Sequence, residues 1–66
     1  MKQEQVDRRK QAMEQRLEMI QERRKTAESR GMEPERVERL FGRQEQSTLD
    51  LIDRFKKIAE DNGLVW

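Results

Sequence analysis

Between Lys2 and Ser29 the chain has no glycine and no proline, and then Gly31 and Pro34 stand three residues apart. This punctuation constrains the fold more than any other feature. Glycine accepts the left-handed conformation that ends helices. Proline fits the first position of a new helix, where its missing N–H had no intrahelical partner. Glu35 then falls in the first turn, where an acid is favoured, and Arg30 sits at the negative end of the preceding helix dipole. The pattern predicts an all-α fold: a helix over about 2–29, a turn at 30–33 and a second helix over about 34–62. So short a turn makes the pair an antiparallel hairpin. Asn62-Gly63 closes the second helix, and a short apolar tail occupies 63–66.

The intervening residues are mostly Gln, Glu, Arg, Lys, Leu and Met, all good helix formers. On the first helix Val6, Met13, Ile20 and Ala27 share one heptad position, and Lys10, Leu17 and Arg24 share the other. One seam position is therefore apolar and the other mixed, a thin edge that long basic stems help to cover. On the second helix the expected stripe is Val37, Leu40, Phe41, Gln44, Thr48, Leu51, Ile52, Phe55, Ile58 and Ala59. Gly42 weakens the middle by about 1 kcal/mol relative to Ala; continuity through it is expected, with a kink as the alternative.

Hydrophobic residues are 32% of the 66-residue chain and charged residues 44%. A core this small rarely supplies more than about 3–5 kcal/mol without staples or partners. Cysteine and histidine are both absent, which removes disulfides, thiolate metal sites and the usual neutral-pH general base. Oligomerisation remains, and a homodimer forming a four-helix bundle is the expectation. No apolar run approaches the roughly 20 residues needed to cross a bilayer, so a cytoplasmic location without membrane association is expected. No cofactor is expected, and Ser47 and Thr48 lack a base partner for nucleophilic catalysis. Asp50, Asp53, Glu60 and Asp61 cluster in sequence but have no histidine beside them.

Three features could carry function. Leu49 and Leu51 cannot share one stripe, and with Leu64, Val65 and Trp66 they give the C-terminal half an apolar surplus. Clustered aromatic and aliphatic groups are typical anchors for partner proteins. The first reading is thus a non-enzymatic interaction module, with Phe41, Leu51, Ile52, Phe55, Ile58 and Trp66 as candidate partner-binding residues. The alternative uses two basic triplets, Arg8-Arg9-Lys10 and Arg23-Arg24-Lys25, 15 residues apart and so near one helix face. Two such clusters could touch nucleic-acid phosphates. Against it, acids are as dense as bases, with 14 Asp and Glu to 15 Lys and Arg. Ion pairs at helical spacing, such as Glu4 with Arg8 and Glu22 with Lys25, would also make this a solvated face.

The third feature is the stretch 27–41. Ala27, Glu28, Gly31, Met32, Glu33, Val37, Leu40 and Phe41 follow a pattern that resembles the turn between the second and third helices of the all-helical chorismate mutase family, including its isochorismate-pyruvate lyase relatives. The family places a substrate-contacting glutamine about eleven residues past the phenylalanine. This chain has Ile52 there, and Gln44 and Glu45 where the family keeps apolar residues. The resemblance therefore implies an inactive relative of that fold and an intertwined helical dimer.

Overall fold

The computed structural model describes residues 1–66. Helix α1 spans Gln3–Ser29, α2 spans Pro34–Val37, a π-helical segment spans Glu38–Gly42, and α3 spans Arg43–Asp61. There is no strand. Backbone angles stay right-handed helical at Val37, Glu38, Gly42 and Arg43, so α2, the π segment and α3 form one rod that runs back along α1. The hairpin is long and thin, 46 × 16 × 11 Å.

Both rods end as the sequence requires. Gly31 has φ 86°, and the Met32 and Gly31 amides donate to the Ala27 and Glu28 carbonyls at 3.1 and 3.0 Å. Gly63 has φ 70°, and the Leu64 and Gly63 amides donate to Ala59 and Glu60 at 2.9 and 3.0 Å. These are paired Schellman caps, and they satisfy carbonyls that a helix end leaves orphaned. Pro34 opens the second rod with Glu33 as its N-cap. At the start of α1 the Gln5 side chain accepts from the Lys2 amide at 3.1 Å, satisfying a first-turn donor.

The seam on α1 is a continuous heptad. Gln3, Val6, Lys10, Met13, Leu17, Ile20, Arg24 and Ala27 are its buried or half-buried residues, alternating in steps of three and four. This matches the mixed seam expected from the sequence. On α3 the same alternation runs through Glu45, Thr48, Ile52, Phe55 and Ala59.

The expected stripe of the second rod is corrected in its N-terminal half. Gln44 and Leu40 point out, Leu40 at 47% exposure, and Glu45 takes the seam position instead. From Val37 through Phe41 to Glu45 the seam advances eight residues, one more than a heptad allows. A π turn bonds i to i+5 and so holds one residue more than an α turn. The π segment absorbs the surplus, and Gly42 is its last residue. The rod thus continues through Gly42, as a π turn between two α-helical stretches.

Only six of 66 residues are buried: Val6, Ile20, Ala27, Val37, Thr48 and Ala59. Thr48, in the middle of the seam, donates its hydroxyl to the Gln44 carbonyl at 2.9 Å, so no buried side-chain polar atom is left unpaired.

Candidate functional site: two charged flanks and a groove at the turn

Arg24 is the one cation of α1 that the fold turns toward three acids. It reaches Glu45 at 3.0 Å, Glu28 at 3.6 Å, and Glu38 of the π segment. Its guanidinium is held above its already high ordinary pKa, first by the hydrogen bond to Glu45 and then by the charge of Glu38, with partial desolvation acting the other way. A raised pKa on a cation adds stability that is complete at lower pH and lost only as pH climbs through the folded value. On the arginine side this link therefore holds at neutral pH, for as long as Glu45 and Glu38 carry their charge.

The π segment sets up the pair with Glu38. A Cβ built on Gly42 would lie 2.5 Å from Oε1 of Glu38, so the Glu38 side chain lies across the bare face of the glycine on its way to Arg24. Arg24→Gln leaves Glu38 and Glu45 facing each other without a cation. A lower melting temperature is expected, partly restored when Glu45→Gln is added. A thermal melt of the two variants checks this, and equal melting of Arg24→Gln and wild type would show the link to be energetically silent.

The basic triplets do not act as units. Successive helical residues are about 100° apart, so each triplet wraps around α1. Arg8 pairs with Glu4 at 3.1 Å, as expected. The Arg9 guanidinium lies 5.1 Å from the centre of the Phe55 ring. Lys10 is half-buried in the seam, and Arg24 is engaged as described. Arg23 turns to one flank and Lys25 to the other, and Lys25 has no carboxylate within 4 Å. The six residues therefore do not form the shared phosphate-facing surface that their spacing suggested.

The candidate partner-binding residues also divide. Ile52, Phe55 and Trp66 are half-buried on their own hairpin. The Phe55 and Trp66 rings stack at 6.5 Å, and the Gln3 side chain both donates to and accepts from the Val65 backbone at 2.6 and 3.0 Å. Leu51 is half-buried beside the seam, and Ile58, seven residues on, is 40% exposed. Phe41 lies apart from these, in a groove at the turn end of the rod.

That groove has a volume of about 670 Å³. Met19, Met32 and Phe41 contribute its apolar wall, and Arg23, Arg30 and Arg36 its basic one. The four ion pairs of the structure use only Arg8 and Arg24 as cations, so none of the three groove arginines has a carboxylate within 4 Å. No cluster of metal-ligating side chains is present, and no helix is long and apolar enough to cross a membrane.

The groove arginines belong to a longer pattern that the triplets obscure. Lys2, Arg9, Arg16, Arg23 and Arg30 recur every seven residues, immediately before the seam positions Gln3, Lys10, Leu17 and Arg24. Asp7, Glu14, Gln21 and Glu28 recur immediately after Val6, Met13, Ile20 and Ala27. The row beside the seam on one flank of α1 is basic along its length and the row on the other flank is acidic or neutral, although the chain's net charge is only +1. Taking the residues beside each seam position, instead of those adjacent in sequence, would have exposed this segregation.

Compared with known proteins, the chain matches no family model, no curated protein and no solved structure.

Proposed function

We propose that the chain is a non-enzymatic protein-interaction module whose hairpin pairs with a second copy to complete a four-helix core. The observation that carries this reading is the mismatch between core and surface. The seam buries six residues, while Leu40, Leu49 and Ile58 each stand at least 38% exposed on a chain poor in apolar side chains. Leu51 and Ile58 lie seven residues apart on α3, hence on one flank of the rod, where a second hairpin would cover them. Nucleic-acid binding through the triplets has weaker support, because Arg9 and Arg24 are already engaged within the chain.

Sedimentation equilibrium over a wide concentration range tests the reading. The expected species is a dimer at micromolar concentration. Leu51→Lys with Ile58→Lys is expected to give a helical monomer, since two charges would be buried in the new interface. Unchanged dimerisation of that variant would move the interface to another face. A stable monomer of the wild-type chain at all concentrations would remove the shared core.

A further inference from the structure

We infer that the groove at the turn end takes an acidic amphipathic helix from a partner protein, with carboxylates seven residues apart and a large apolar residue between them. This rests on the reading of the chain as an interaction module and names the chemistry of the partner.

The charges come first. Arg23, Arg30 and Arg36 converge on one groove, and none has a carboxylate within 4 Å. Yet the chain holds nearly as many acids as bases, and the fold spends three glutamates on Arg24 alone. Glu22 is the one acid that lines the groove. Three cations without an ion-pair partner outnumber that one acid, and around a concave surface they attract an anionic partner and set its orientation.

Spacing comes second. Arg30, the C-cap of α1, lies two turns beyond Arg23, about 10.5 Å at 1.5 Å per residue. A helix laid along α1 presents side chains at that interval when they are seven residues apart. Arg16 continues the same row one interval further, so a longer partner would match it with a third acid. The apolar wall of Met19, Met32 and Phe41 supplies the third element. Methionine accommodates varied apolar side chains, and a helix with acids at i and i+7 places its i+3 or i+4 residue between them, facing this wall.

A second copy of the chain fits this groove poorly. A twofold dimer brings the same patch against itself, and here that would set one arginine row near the other. A nucleic-acid backbone shares the anionic chemistry, but it has no use for an apolar wall.

The test uses the intact chain and a fluorescein-labelled synthetic helical peptide with Glu at positions seven apart and Leu between them, followed by anisotropy. Saturable binding that weakens with added salt is expected. Arg23→Gln, Arg30→Gln and Arg36→Gln together are expected to weaken it about tenfold or more, at the modest contribution typical of each exposed charge pair. Removing as many charges at Arg54, Lys56 and Lys57, none of which lines the groove, is expected to change it little. Equal binding of a peptide with Gln in place of Glu, or no effect of the groove variant, would overturn the inference. Tighter, groove-dependent binding of a duplex or single-stranded oligonucleotide would overturn it in favour of a phosphate polymer. No peptide binding by a chain that sediments as a dimer would remove the groove assignment and leave the module reading standing. No peptide binding by a monomeric chain would remove both.

Discussion

Deleting Asp50 is expected to unfold the hairpin, whereas deleting Arg39 leaves it folded. Both residues are exposed and charged, and neither makes an ion pair. What separates them is the register each deletion imposes on the seam. Asp50 lies between Thr48 and Ile52, where the alternation of three and four is unbroken. Its loss turns Ile52, Phe55 and Ala59 about 100° away from α1. Two large side chains at roughly 1.5–3 kcal/mol each account for most of the about 3–5 kcal/mol that a core of this size supplies. Relaxing the π segment to α would recover those residues but displace Phe41, Glu45 and Thr48 instead. Arg39 lies inside the π segment, where the seam carries one residue too many. Its loss lets the rod become α throughout, with Val37, Phe41, Glu45 and Thr48 now three, four and three apart. Far-UV circular dichroism and thermal melts of both deletions check this. Unfolding by both would mean that the π turn is required for the fold and does more than absorb a surplus residue.

Local backbone rules and an unbroken heptad are legible in the sequence, whereas a register shift and contacts across the turn are not. Gly31 and Gly63 act locally, through backbone angles that few other residues adopt, and Pro34 through its missing N–H, so local rules read all three correctly. The α1 seam was legible because its frame is unbroken over 27 residues. The N-terminal half of the second rod was not. A one-residue surplus can be placed at any of several positions, and only packing against α1 decides that Glu45 and not Gln44 turns inward. Glu45 is also a poor candidate for a seam until Arg24, 21 residues away, is known to face it. The groove was hidden for a related reason. Met32 and Arg36 reach it only because the turn folds them back beside Met19 and Arg23, and no spacing along one helix encodes that. The basic row was present in the sequence throughout. Triplets of adjacent residues mask it, because adjacency in a helix separates side chains and a spacing of seven aligns them.

The second large effect is expected at the tail. Ending the chain after Leu64 removes the ring that stacks on Phe55 and the backbone that clasps Gln3. A half-buried tryptophan with an aromatic neighbour contributes about 2–3 kcal/mol. That corresponds to a fall of roughly 10 °C or more in melting temperature for a domain this small. Gln3→Ala isolates the clasp, and about 1 kcal/mol is expected from it. Arg9→Gln isolates the cation over the Phe55 face, with a smaller loss of about 0.5–1 kcal/mol. The ordering matters because Phe55 and Trp66 can serve in two ways. If they cover each other within one hairpin, truncation lowers the melting temperature and leaves a more exposed Phe55 that favours association. If they instead anchor a partner copy, truncation leaves the monomer's helicity untouched and weakens the dimer. The stack, the clasp and the overlying guanidinium converge on the first outcome, and melting and sedimentation of the truncated chain, measured together, distinguish it from the second.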